Sequence, residues 1–239
     1  LILTTIVIIS TLLLTDSAGI YLKERNREFI GGDISLTANF PIDETLISSE
    51  KGFDIYKASR QSTFSGTLSS EANAIPVSFR VVDENYPLIG QLELSQGLTY
   101  RWPAADEVLI DQSVASDLSV NVNDEVVWGK IRYRVSAIIE REPDALVSGL
   151  RIYPRIIISP AGLARSQIDQ DLLRINYKIS ITLATPPTTN QIDTAIETTS
   201  EKGYQIEVAG RTEGRTSRRL VIVERFLVVT NLITILLAC

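Results

Sequence analysis

Two uncharged apolar runs, one at each end of the sequence, constrain this chain more than any other feature. Leu1–Leu14 (LILTTIVIISTLLL) and Phe226–Cys239 (FLVVTNLITILLAC) carry no ionisable side chain apart from the Cys239 thiol. As helices each rises about 21 Å at 1.5 Å per residue, short of the roughly 30 Å of hydrocarbon in a bilayer. Such runs are either core helices of a soluble protein or pieces of membrane spans. Their place at both ends, and the lack of any Met among 239 residues, favour a segment of a longer membrane protein. The expected layout is a first transmembrane helix with a stalk over residues 1–30 and a second stalk leading into a transmembrane helix over 211–239.

About 200 residues lie between the spans, enough for a sizeable core. Net charge is −6 and the isoelectric point about 4.9, which opposes nucleic-acid binding, since that requires a concentrated basic surface. His is absent, removing imidazole acid–base chemistry, His-based zinc sites and Ser-His-Asp triads. The single Cys, Cys239, excludes an internal disulfide and a thiolate metal cluster. No GxxxxGK[ST] loop is present, so the chain binds no ATP in that way. Nothing brings a Ser–Lys nucleophile pair together. The expectation is therefore a protein without catalytic, cofactor-binding or metal-binding residues, and not an enzyme.

Thr15–Ile30 continues the first apolar run as a helix-compatible stalk, halted by Gly31-Gly32. Ile34, Leu36 and Ala38 alternate with polar residues as in a half-buried strand. Asp43 is placed to cap a short helix bearing Leu46 and Ile47 and ending at Gly52. A polar strand over Ser59–Leu68 follows, then one with Val77, Phe79 and Val81 opposite Ser78 and Arg80. From Tyr86 to Pro160 the pattern changes to short strands and turns. Val108-Leu109-Ile110 is a strand, with Asp111 placed to cap a helix bearing Val114, Ala115 and Leu118. Val126–Trp128 and Ile131–Val135 read as a hairpin closed by Gly129-Lys130. Ile156–Ile158 is an apolar strand, after which Ser159-Pro160 opens a helix.

Tyr177, Ile179, Ile181 and Leu183 mark another alternating strand. Thr188 and Gln191 form a capping box for a helix with Ile192, Ala195, Ile196 and Thr199 on one face. Gly203 ends that helix before a last strand, Gln205–Val208. The fold expected is α+β: a split βαβ, porter-like layer of mixed sheet over 31–85 and 170–210, holding a β-rich insertion over 86–169.

This order of parts resembles the FtsX-like ABC-transporter permeases with a MacB-type periplasmic core domain. Three stretches carry the likeness: Phe29–Leu36, leaving the first span; Val108–Asp111 with Ala115, Leu118, Asn123–Val126 and Tyr133–Ile139, the heart of the insertion; and Val223–Leu227, leading into the second span. Asn123 stands where the family usually has Gly, a replacement that keeps the turn if its φ is positive.

The resemblance implies a permease subunit of the cell inner membrane with its central domain in the periplasm. It also implies a separate ABC ATPase as partner, and a dimer or a two-halved permease. A periplasmic protein, lipid or lipoprotein would be the cargo or partner. The alternative is the ectodomain of a two-span receptor or scaffold with no ATPase.

The basic stalk residues Lys23, Arg25, Arg27, Arg215, Arg218, Arg219 and Arg225 alone would favour the cytoplasmic side. The periplasmic expectation comes from the resemblance, and the stalk charges read as solvated faces or headgroup contacts. Asp16 reads as a boundary residue and Asn231 as a helix–helix or headgroup contact. Tyr100, Trp102 and Trp128 either mark a ligand or partner surface or cap a small β core.

Overall fold

The computed structural model describes residues 26–43, 45, 48, 52–143 and 153–210. Both apolar runs, Asp16, Asn231, Lys23, Arg25 and the basic residues beyond 210 lie outside the described residues, as do Leu46 and Ile47 of the first expected helix. Among the described residues, no helix is long and apolar enough to cross a membrane.

Helix α1 (Asn26–Ile30) ends at Gly31, whose φ is +82°. The Gly31 amide donates to the Glu28 carbonyl at 3.1 Å and the Gly32 amide to the Arg27 carbonyl at 3.0 Å. This is the Schellman pattern that stops a helix on a left-handed residue, and it turns the chain into β1 (Ile34–Ala38). The strands that follow are β2 (Ile55–Ser69), β3 (Ala74–Val82), β4 (Glu93–Leu94) and β5 (Glu107–Asp111). Helix α2 (Gln112–Leu118) leads to β6 (Glu125–Trp128), β7 (Ile131–Arg141) and β8 (Arg155–Ile158). Helix α3 (Pro160–Arg165), β9 (Asn176–Leu183), α4 (Thr189–Glu201) and β10 (Gln205–Val208) complete the described elements.

The strands form one mixed sheet in the order β10-β1-β9-β2-β3-β8-β5-β7-β4, with β6 paired to β2 and β7. β1 and β2 both run antiparallel to β9 between them, so they run parallel to each other. By the same argument β9 and β10 are parallel across β1. Two interlocked split β–x–β units result, the second carrying α4 as its crossover. The β-rich stretch leaves at β2 and returns at β9, with parallel pairs β3–β8 and β5–β7. The α+β mixed sheet read from the sequence is therefore present.

Each face of the sheet has its own cover. On one face α4 places Ile192 and Ala195 over Ile34, Leu36, Ile179 and Ile181. On the same face α2 and α3 place Val114, Leu118 and Leu163 over Phe79, Val108, Val135, Ile156 and Ile158. Trp128 stacks here on Phe64 at a centroid distance of 5.6 Å and lies tilted against Phe79 at 4.2 Å. Among the described residues, no α-helix covers the opposite face over the β3–β8–β5–β7 portion. There an irregular strap, residues 83–102, supplies Tyr86, Leu92 and Leu94 to cover Val82, Leu109, Ile139 and Ile157.

Local signals set several boundaries. Thr188 and Gln191 close both halves of the capping box, and the Ser159 hydroxyl accepts from the Gly162 amide at 3.1 Å. Trp128 pairs with Ile131 around Gly129-Lys130, with Gly129 at φ +64°. Asn123 keeps its turn at φ +76°. One expectation is corrected: Asp111 precedes α2 but makes no side-chain cap. Its carboxylate accepts from the Arg155 amide at 2.9 Å instead, joining β5 to β8.

Candidate functional site

Asp33 is the root at which the two ends of the described chain meet. Arg27 of α1 grips its carboxylate twice, Nε at 2.6 Å and Nη2 at 3.1 Å. The same carboxylate accepts from the Leu183 amide of β9 at 2.9 Å. The Asp33 amide donates to the Ile181 carbonyl at 2.7 Å, and its carbonyl accepts from the Ala209 amide at 2.8 Å. Ala209 follows β10 directly. One residue thus ties the helix entering the domain to the strand leaving it. Arg27, expected as a solvated stalk charge, is an anchor whose paired carboxylate keeps only 19% of its side chain exposed.

The seat beneath α1 is lined by small residues. Ser35, Ser180 and Ser59 sit opposite one another across β1, β9 and β2 and are 0–1% exposed. In-register residues of adjacent strands point to one face, so the three form a row. A Cβ built on Gly31 would lie 3.2 Å from Ser180 Oγ, and one on Gly32 only 2.6 Å from the Ile181 carbonyl oxygen. Gly32 is therefore required by close approach of backbone to backbone. The row ends at Asp83, whose carboxylate accepts from Ser59 Oγ and from the Arg60 amide, both at 2.7 Å.

Asp83 begins the strap, and beneath the strap lies a buried charge cluster. Arg80 of β3 and Arg155 of β8 both pair with Glu142, just after β7. All three are under 9% exposed. Arg80 Nη1 also donates to Tyr86 Oη at 2.7 Å and its guanidinium lies 5.6 Å from that ring's centroid. Burial first, and the Arg80 charge second, pull Arg155 well below the ordinary guanidinium value, to about 9. Glu107 of β5 gathers Arg101 at 2.5 Å, Arg134, and the Ala104 amide at 3.1 Å. Burial pushes its carboxyl up, but those bonds and charges outweigh it and hold the group below the usual range. Alternation had set Arg80 on the face away from Phe79, and the strap is what buries that face.

The aromatic residues singled out in the sequence divide. Trp128 is core, 4% exposed. Tyr100 and Trp102, with Tyr86 and Leu98, line a surface groove of ≈ 550 Å³ along the strap. The Trp102 indole N–H donates to the Val82 carbonyl at 2.9 Å, fixing a ring that stays 40% exposed. Burial, followed by the nearby Tyr86 and Asp83, raises the Tyr100 phenol. Sequence patterning did not signal Asp33, Glu142 or the strap, because each is defined by partners far away in the chain.

Among the described residues no three His, Cys, Asp or Glu side chains are grouped so as to hold a metal ion. The arrangement is that of a body gripped where its ends meet, with a strap on the gripped face. The model of the MacB-like periplasmic core domain matches residues 1–199. The chain belongs to that family. The periplasmic region of MacB from Actinobacillus actinomycetemcomitans is similar at 14% identity and TM-score 0.49, covering 77% of this chain and 92% of that one. The extracellular domain of the noncanonic ABC-type transporter YknZ from Gram-positive bacteria is similar at 13% identity and TM-score 0.47, with 73% and 99% covered. None of the curated proteins matches the chain.

Proposed function

We propose that this domain belongs to a multi-pass permease subunit of the cell inner membrane and stands on its extracytoplasmic side. Two legs continue from α1 and β10 into membrane spans, and a separate ABC ATPase moves them. The domain turns that motion into work on a cargo or partner outside the membrane, a periplasmic protein, lipid or lipoprotein. It performs no chemistry itself. The permease acts as a dimer or as two homologous halves.

The observation that carries this reading is the Asp33 root. A ligand-binding ectodomain needs no tie between its incoming and outgoing segments, whereas a driven body needs both legs fixed to one rigid point. Arg27, Asp33, β9 and β10 supply that point with side-chain and main-chain bonds together.

Affinity purification of the complete membrane protein tests the proposal. An ATPase with a Walker-A loop is expected to co-purify, and its ATP turnover to rise in the complex. Recovery of the permease alone, with no effect on any candidate ATPase, would favour the receptor or scaffold reading.

A further inference from the structure

We propose that the strap, residues 83–102, is a lever that carries displacement of α1 to the groove between Tyr86 and Trp102, so that leg position and groove shape change together. The inference rests on the leg-driven permease reading and adds the route by which the motion reaches a surface.

Two contacts join the leg to the strap. Directly, a Cβ on Gly90 would lie 3.5 Å from Glu28 Oε1 of α1 and 2.7 Å from Pro143. Glu28 and Pro143 border a recess of ≈ 20 Å³ that Tyr86 and Pro87 also wall. Indirectly, Gly31 rests on the serine row, whose last member holds Asp83 at the strap's origin. A shift of α1 therefore meets the strap at its start and near its middle.

The strap is built to pivot between fixed ends. Asp83 anchors its origin to β2, where the Asn85 side-chain amide also donates to the Ala58 carbonyl at 2.9 Å. Trp102 anchors the far end to Val82. Between them, the strap's strand pairing is confined to β4, two residues against β7.

The groove lies on the outer side of the same residues. Tyr86 and Pro87 line both the leg-side recess and the groove, so they are a shared wall. Displacing that wall toward one space enlarges the other. Strap geometry is also strained: Gln96 is left-handed at φ +60° without being Gly, a conformation that costs on the order of 1 kcal/mol or more and concentrates in segments that switch. Ser95 Oγ and Tyr100 Oη are buried without hydrogen-bond partners, so displacing these two side chains breaks no hydrogen bond of their hydroxyls.

The test uses the complete protein with its ATPase in nanodiscs, Cys239 replaced by Ser, and Leu98→Cys on the groove rim, where Leu98 is 41% exposed. The maleimide labelling rate is compared between nucleotide-free and ATP–vanadate-trapped complex. A change of about threefold or more is expected, the size of a modest population shift, together with no change for Lys202→Cys behind α4. Glu28→Ala, which leaves the route through the serine row in place, is expected to reduce the change clearly while ATP hydrolysis continues. An unchanged Leu98→Cys rate in a complex that traps vanadate would overturn the lever alone, as would a full change surviving in Glu28→Ala. If no ATPase associates, the permease reading fails and the lever with it.

Discussion

The split-βαβ portion and the strap-covered portion of this sheet are held together by different physics. Around β10-β1-β9-β2 and α1, the buried polar side chains among the described residues include Asn26, Ser35, Ser59, Ser180, Thr182 and Thr199, all neutral. Among the described residues, every buried charged side chain (Arg80, Glu107, Glu142 and Arg155) lies on β3, β5 or β8 or just after β7. Small neutral residues let α1 sit close to the sheet, giving a stiff seat. Buried ion clusters are geometrically exacting, and a partner's removal strands a charge. The difference teaches that one portion is built for close approach of a helix and the other for a defined arrangement of charges beneath an irregular strap.

Glu142→Ala should expose this contrast most strongly, leaving Arg80 and Arg155 buried without their shared carboxylate at a cost of about 3–5 kcal/mol. Denaturant unfolding checks it. Replacing Arg80, Glu142 and Arg155 together by Met or Leu should instead be near neutral or stabilising; equal losses in both variants would mean that the cluster acts only by filling volume.

Glu107→Gln should cost about 1–3 kcal/mol at pH 7. The folded-state pKa is depressed, so the stabilisation is complete above the ordinary Glu value of 4.5 and fades as pH falls through the lower folded value. The stability gap between wild type and variant should therefore close on acidification. A gap independent of pH would remove charge from the account.

On the other side of the comparison, Gly32→Ala forces a Cβ to within 2.6 Å of a backbone oxygen and should cost about 1–3 kcal/mol, read as a lowered melting temperature. Thr188→Ala, which removes half of the capping box, should cost about 1 kcal/mol. Its effect should not depend on the state of the strap. Hydrogen exchange confined to α4 would confirm that separation, whereas faster exchange in 83–102 would break it.

What could be read from the sequence divides along the same line. Stops and caps were legible at Gly31-Gly32, Ser159-Pro160 and Thr188–Gln191 because each is a local geometric requirement. Alternation located β1 and β9, but it reports one covered face and is silent on the other. Ser180 alternates with Ile179 and Ile181 along β9, yet it too is buried, because Gly31 closes over it. Arg80 was set opposite the core face for the same reason. Asp111 looked like a cap, since its role depends on Arg155, distant in sequence. Nothing in the composition of residues 83–102 says that they form a cover, because their partners are on β2, β3 and β7.

The most direct test of leg-driven motion is to lock the legs. In the complete protein with its ATPase, paired cysteines placed in the Arg27 region and the Arg218 region, with Arg27 itself kept, would be crosslinked, and ATP turnover measured before and after reductant. The account predicts a several-fold fall in turnover with an unchanged melting temperature, reversed when the crosslink is reduced. Full turnover in a completely crosslinked complex would contradict it.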